Sequence, residues 1–234
     1  METKNKKLAF RIYLFLAALF ISSLVVSNLI FQKFFYWHPL DFKIFGVTLF
    51  ELSVGILPYP VTFLITDIIS EIYGKEKATN VVLAGIFASI FSILIILVAD
   101  ALPTLNESPI DGETFYMVFS KTPIAVFSSM LAYLFSQYID IQIYHFWKKK
   151  TKGNYLWLRN NFSTFSSQII DSFTVLFLLC FFEIIPWEIF YGLFISSVIF
   201  KVFIAFIDTP LLYFFVFLLR KRFKIKKTEE IDFY

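Results

Sequence analysis

The sequence has 234 residues, of which 58% are apolar and only 17% are charged, with a formal net charge of +3. Soluble domains are usually about 45–50% apolar and about 25% charged, so this composition argues against an ordinary cytosolic enzyme. One cysteine excludes an internal disulfide framework, and seven glycines and eight prolines are too few for a disordered chain.

Six stretches of the sequence are long and apolar enough to cross a bilayer, which takes about 20 residues. They predict an all-α integral membrane bundle that forms one domain over residues 1–234. The predicted spans cover residues 8–31, 44–70, 78–99, 122–147, 162–182 and 187–219. The first stretch is too long for the core of a signal peptide and five more follow it, so we predict a retained helix.

The basic residues are distributed unequally between the two sides of these spans. Most of the 21 Lys and Arg lie on one side, whereas the loop after the third span carries Asp100, Glu107, Asp111 and Glu113. Because cytoplasmic loops are enriched in Lys and Arg, we predict that both termini are cytoplasmic. The basic runs fit a position beside anionic lipid, so the lipid bilayer is a predicted partner and nucleic acid is not.

Several polar residues fall inside the predicted spans, where an ionised side chain costs about 2.5–3.5 kcal/mol on insertion scales. Such residues usually face the bundle interior and mark a pathway or binding site. The candidate substrate-binding or pathway residues are Asn28, Asp67, Glu71, Asp140, Gln168, Asp171, Lys201 and Asp208.

The depths of the four Asp residues indicate a common location. A rise of about 1.5 Å per residue places them about 12–18 Å from the basic flanks of their helices. This depth predicts one shared, acidic, central cavity. Structural alternatives remain: Asn28 could hold helices together, and Lys201, two turns from Asp208, could simply neutralise it.

Two predicted spans carry the same pattern, Ser-Gln-x-x-Asp, at 136–140 and at 167–171. Residues three and four apart share a helix face, so each pattern forms a polar ridge. The two helices run antiparallel, which fits either an inverted repeat or coincidence. Asp67 and Glu71 also share a face near the Pro60 kink, and Asp67 is the deeper of the two.

The sequence lacks the motifs of the common catalytic and metal sites. It contains no G-x-x-x-x-G-K-[ST], H-E-x-x-H or G-x-S-x-G pattern. His38, His145 and Cys180 are isolated and show no metal-ligand spacing. We therefore predict no catalytic residue, metal site or cofactor.

Short blocks along nearly the whole chain match a known family. These blocks are Ser27-Asn28, Pro58 to Pro60, Thr66-Asp67, Glu71 to Gly74, Ala132-Tyr133, Ser136-Gln137, Asp140, Trp157 to Asn161, Ser163-Thr164, Ser167-Gln168, Asp171-Ser172, Lys201, Asp208 to Pro210 and Tyr213. The sequence thereby resembles the queuosine precursor transporters of the vitamin uptake transporter group, a bacterial inner-membrane family with six spans, which implies the same location for this chain. Tyr59 departs from the Phe of the family pattern, and an acid at Asp208 is not universal there.

The resemblance implies import of a small-molecule deazapurine, cyano- or aminomethyl-deazaguanine, for queuosine salvage in tRNA by alternating access. A guanine-like edge presents two N–H donors that suit a carboxylate. One alternative is a substrate-binding subunit of an ATP-driven vitamin uptake complex, and another is a membrane-embedded enzyme or assembly factor. The sequence leaves open the coupling ion, the preferred precursor and a homo-oligomer or energising partner.

Overall fold

The computed structural model describes residues 3–36, 43–44, 47–48, 51–120 and 122–232. Within these ranges the α-helices are α1 (Thr3–Ile30), α2 (Tyr59–Ile72), α3 (Lys75–Ala101), α4 (Gly112–Phe119), α5 (Thr122–Lys150), α6 (Leu156–Phe181) and α7 (Phe190–Phe223). Six helical segments of the described chain are long and apolar enough to cross a membrane. The predicted helical bundle with six spans is thereby confirmed, and the chain is a multi-pass membrane protein.

The long helices form a bundle because a bilayer offers no water to satisfy the backbone, which must therefore bond internally. α5 and α6 pack against each other along their lengths, and α7 packs against α2 and α6. Large apolar side chains such as Phe15, Phe87 and Phe217 are exposed on the outside of the bundle, as a lipid-facing surface requires. Polar side chains such as Ser136 and Gln137 are buried inside it.

The second predicted span, residues 44–70, differs from expectation in its first part. Two pairs of short antiparallel strands precede α2: β1 (Phe34–Tyr36) pairs with β4 (Glu51–Ser53), and β2 (Lys43–Ile44) with β3 (Val47–Thr48). A 3₁₀ turn at Val54–Ile56 follows, and the helix begins only at Tyr59. Proline lacks the backbone N–H that a helix interior needs, so Pro58 and Pro60 allow a helix to start here but not to pass through.

Hydrogen bonds and a close contact tie this strand segment to the end of α1. The Ser27 hydroxyl donates to the Gly55 carbonyl, and the Ser53 hydroxyl donates to the Phe31 carbonyl. A Cβ on Gly55 would lie 2.8 Å from the backbone carbonyl oxygen of Ser27 and 2.8 Å from the Phe31 Cβ, so only glycine allows this approach. We call this side of the bundle the hairpin end.

α4 is an additional short helix inside the acidic loop that the sequence placed between the third and fourth spans. Asp111 caps it, because its carboxylate accepts a hydrogen bond of 2.6 Å from the Thr114 N–H. This bond stabilises the ionised form and lowers the pKa of Asp111.

The opposite side of the bundle, which we call the basic end, is covered by the C-terminal segment 224–232. After α7 the chain turns at Lys224 and folds back across the bundle. The Ile231 N–H donates to the Ile72 carbonyl at 2.8 Å, and the Ile231 side chain is buried in the main apolar cluster. Gly74 faces the Glu230 carboxylate and has φ +91°, a backbone conformation that residues with a side chain rarely adopt.

The predicted orientation can be tested with single cysteines in a Cys180→Ala background, since Cys180 is buried and is the only native cysteine. We expect a cysteine at Asn106 to react with an impermeant maleimide from outside the cell. A cysteine at Lys150 should react only after the membrane is opened, because both positions are exposed but on opposite sides. Labelling of both from outside intact cells would contradict six spans with cytoplasmic termini.

Candidate functional site

The two polar ridges predicted on α5 and α6 face each other in the centre of the bundle. The Ser136 hydroxyl of α5 donates to Asp171 Oδ1 of α6 at 3.3 Å, and the Ser167 hydroxyl of α6 donates to Asp140 Oδ1 of α5 at 3.0 Å. All four side chains are buried. The shared Ser-Gln-x-x-Asp pattern therefore joins the two helices, because each serine donates a hydrogen bond to the aspartate of the other ridge.

The two aspartates differ in charge balance. Lys201 Nζ lies 2.5 Å from Asp171 Oδ2, and both side chains are buried. The same ammonium lies 4.4 Å from the centre of the Tyr59 ring, within the range of a cation–π contact. Lys201 thus pairs with Asp171 and not with Asp208, while Asp140 has no cationic partner among the described residues.

A cavity of about 140 Å³ lies beside the Asp171–Lys201 pair and extends towards the hairpin end. Its volume is close to that of a cavity of about 150 Å³ known to hold benzene, so it suits a small ring system. Its polar lining includes Ser27, Asn28, Ser129, Asp171, Ser172 and Lys201, and its aromatic lining includes Phe31, Phe34, Tyr59 and Tyr133. Tyr59 and Tyr133 stand edge to face, with 6.1 Å between their ring centres.

A second cavity, of about 20 Å³, lies between α2, α6 and α7 on the other side of Lys201. Thr164, Gln168 and Asp208 are among the oxygen-bearing residues that line it, and Tyr59 and Lys201 line both cavities. The predicted carboxylates are thus divided: Asp171 lines the larger cavity, Asp208 the smaller one, and Asp67 and Asp140 neither.

Asp67 is a buried carboxylate close to this centre. It lies near enough to interact electrostatically with Asp140, Asp208 and Arg159. Within the described ranges it has no hydrogen bond and no ion pair, although only 4% of its surface is exposed. An ionised carboxylate without a partner is costly at this depth, so a proton or a cationic group near Asp67 would relieve that cost.

Several buried polar atoms around the two ridges lack a hydrogen-bond partner in the described part of the chain. They are both side-chain polar atoms of Gln137, Asn160 Oδ1, Thr164 Oγ1, Gln168 Oε1 and Ser172 Oγ. Leaving a buried donor or acceptor unpaired costs about 1–3 kcal/mol each. Such a concentration of unpaired atoms in one region is expected where a ligand or water supplies the missing bonds.

Glu71, predicted as a pathway residue, is the centre of an ion-pair cluster at the basic end. Its Oε1 atom lies 2.7 Å from Arg159 and 2.5 Å from Arg220. Its Oε2 atom accepts a 3.0 Å hydrogen bond from the Tyr144 hydroxyl and lies 3.9 Å from Lys148. Both carboxylate oxygens are thus engaged by described residues, and Glu71 links α2 to α5, α6 and α7 at the basic end.

The C-terminal segment joins this cluster. Lys148 Nζ lies 2.9 Å from Glu230, and Arg220 donates to the Lys226 and Lys227 carbonyls. One cluster of ion pairs at the basic end therefore connects the segment 224–232 with four helices, α2, α5, α6 and α7.

Asn28 connects three helices. Its amide nitrogen donates to Ser89 of α3 at 3.4 Å, and its oxygen accepts from Ser129 of α5 at 2.5 Å. It also lines the larger cavity. These hydrogen bonds support the alternative that Asn28 holds helices together. Because it also lines the cavity, Asn28 stays a candidate substrate-binding or pathway residue.

Sequence reasoning did not select Arg159, Thr164, Ser172, Tyr59 and Tyr133 as site residues. Arg159 belongs to a block that matches the family, but a charge near a helix end usually lies in the interface, so the sequence predicts a basic flank there and not a site residue. The available signal was the dense block of polar residues from 157 to 172, which is too polar for a helix that faces lipid.

The part of the chain that the structure describes contains no group of three His, Cys, Asp or Glu residues that could hold a metal ion. His145 and Cys180 lie far apart in the sequence, on α5 and α6. His38 lies outside the described residues.

A bundle of spanning helices with a buried ion pair, a polar cavity and a closed basic end defines a membrane protein of the solute-transporter class. Residues 53–215 match the family described as "Putative vitamin uptake transporter", and the chain belongs to this family. This confirms the resemblance found in the sequence, and a transporter family agrees with the prediction that the chain is not an enzyme.

Among curated proteins, the chain is 28% identical over 172 residues to a Bacillus subtilis (strain 168) protein named "Probable queuosine precursor transporter". The match covers 73% of each chain. No solved structure is significantly similar to this chain.

Proposed function

We propose that this chain imports queuosine precursors, cyano- or aminomethyl-deazaguanine, across the bacterial inner membrane. The observation that carries the proposal is the match to the B. subtilis protein over 73% of both chains, together with the buried Asp171–Lys201 pair at the larger cavity. The family match supports transport, and the chemistry of the cavity supports this class of solute.

The Asp171–Lys201 pair is complementary to the edge of a guanine-like ring. Such an edge presents two adjacent N–H donors beside a carbonyl oxygen. The Asp171 carboxylate can accept from the donors, and the Lys201 ammonium can donate to the carbonyl. Tyr59 and Tyr133 supply aromatic surfaces at the same cavity, and flipped bases are commonly read by such a combination of hydrogen bonds and stacking.

Alternating access is the proposed mechanism. The larger cavity reaches towards the hairpin end, whereas the Glu71 cluster and the segment 224–232 close the basic end. α2 is a half-helix of 14 residues that begins beside the cavity at Tyr59 and ends at the Glu71 cluster. Broken helices of this kind often move in transporters, so opening of the basic end would release solute to the cytoplasm.

The decisive test is queuosine in tRNA, measured in cells that cannot make the precursor and are fed cyano- or aminomethyl-deazaguanine. We expect expression of this chain to restore queuosine at low precursor concentration. Absence of queuosine despite normal amounts of the chain in the membrane would contradict the proposal.

Uptake by the purified chain in liposomes separates two alternatives. Uptake without added protein or ATP would exclude a subunit that depends on an ATP-driven partner. Binding of the precursor without uptake would instead favour that subunit, and neither binding nor uptake would favour a membrane-embedded enzyme or assembly factor.

Asp67→Asn is expected to change transport more than stability. Asp67 has no hydrogen bond or ion pair among the described residues, so the substitution breaks no pair and removes a buried charge. We expect normal amounts of protein and a loss of uptake, larger for the cationic aminomethyl form than for the neutral cyano form. Equal wild-type uptake of both compounds would remove Asp67 from the pathway.

A further inference from the structure

We propose that the smaller cavity, between α2, α6 and α7, is a sodium site whose ligands are the Asp208 carboxylate, Thr164 Oγ1 and Gln168 Oε1. This inference concerns the energy source of transport and does not depend on the identity of the organic solute.

The donor set consists of oxygen atoms that have no other partner. Thr164 and Gln168 lie one turn apart on α6, are 5% and 3% exposed, and line the cavity. Their Oγ1 and Oε1 atoms have no hydrogen bond in the described chain. The half-buried Asp208 carboxylate lines the same cavity from α7 and likewise has no ion pair within the described residues. The cavity is thus lined by two buried residues that each have an unpaired side-chain oxygen, and by one carboxylate.

The volume of the cavity, about 20 Å³, admits one small ion and excludes an organic solute. A cavity needs roughly 10–15 Å³ to hold a single water molecule. The cavity therefore has room for one species of the size of a water molecule or a small cation.

The charge balance favours a monovalent cation. Lys201 also lines this cavity, but its ammonium is engaged by Asp171 at 2.5 Å and lies over the Tyr59 ring. Asp208 is left with one uncompensated negative charge, which is costly inside a membrane. One carboxylate with neutral oxygens matches a hard ion of charge +1, whereas Ca²⁺ or Mg²⁺ would normally require more carboxylates, and a soft metal would require nitrogen or sulfur.

The position of the site connects the ion with the solute. Tyr59 and Lys201 line both cavities, so an ion at Asp208 acts on the same side chains that face the larger cavity. Na⁺ binding is therefore expected to bias the arrangement of α2 and α7 and to favour solute binding, which couples uptake to the sodium gradient.

The test uses the purified full chain and NaCl alone. We expect the thermal unfolding midpoint to rise saturably with NaCl, and not with KCl or choline chloride at the same ionic strength, because a ligand that binds only the folded state stabilises it. Asp208→Asn and Thr164→Val should each abolish this sodium-specific shift. Glu107→Gln, which removes an exposed loop carboxylate, should retain it.

Absence of a sodium-specific shift in the wild-type chain, or a full shift in Asp208→Asn, would overturn the proposal. A dependence on pH alone, with no difference between NaCl and KCl, would assign the site to a proton and would also overturn it. A sodium-specific shift in a chain that imports no deazaguanine would support this site and contradict only the proposed solute.

Discussion

Replacing Glu71 by Gln is expected to lower the stability of the folded chain by about 3–5 kcal/mol, the usual loss when one partner of a buried ion pair is removed. Arg159, which is 1% exposed, and Arg220 would both lose the negative charge of the oxygen that they share, because a glutamine amide offers only a neutral acceptor. The other described hydrogen bonds of Arg159 go to the neutral Gly153 and Asn154 carbonyls, so Glu71 is its only ion-pair partner among the described residues.

The measurement is the thermal unfolding midpoint and the amount of protein that remains monodisperse in detergent. Glu229→Gln is the matched control, because its ion pair with Lys226 is exposed and such pairs contribute little. We expect the control to behave as wild type. Wild-type stability of Glu71→Gln would show that the cluster at the basic end does not hold the bundle together.

Asp171→Asn is expected to have two separable effects. The first is on solute binding: a charge-assisted hydrogen bond contributes about 1.5–3 kcal/mol, so binding of the deazaguanine should weaken roughly ten- to a hundred-fold. The second is on stability. A lone buried carboxylate could be removed at little cost, but Asp171 is paired, and its loss strands the Lys201 ammonium, of which only 8% is exposed.

The double variant Asp171→Asn, Lys201→Met separates these effects. Removing both charges of a buried pair is often neutral for stability, so we expect the unfolding midpoint to return towards the wild-type value. Solute binding, measured with the purified protein, should remain weak because the acceptor is still absent. Recovery of binding together with stability would assign Asp171 to helix packing and contradict a contact with solute.

The main architecture was readable from the sequence because the bilayer imposes a simple physical rule. A span must be long, apolar and helical, so hydropathy alone locates α1, α3, α5, α6 and α7 within a few residues. The same rule makes polar residues inside a span conspicuous. It selected Asp171 and Lys201 as interior residues without any knowledge of what each one contacts.

The failures of prediction have equally physical causes. Residues 44–58 are apolar enough to continue a span, but hydropathy does not register that Pro58 and Pro60 prevent a helix from passing through. Arg159 and Arg220 have the charge of ordinary flanking residues. Only their burial against Glu71 distinguishes them from topology signals.

Only the tertiary structure decided which charged residues form ion pairs with each other. Asp171 and Lys201 are 30 residues apart on different helices, and Glu71 and Arg220 are separated by 149 residues. Spacing along a helix shows which residues share a face, but the face that meets a neighbour is set by the packing of whole helices. The sequence therefore determined which charges lie within the membrane, and the rotation and register of the packed helices determined which of them neutralise each other and which remain free for a ligand.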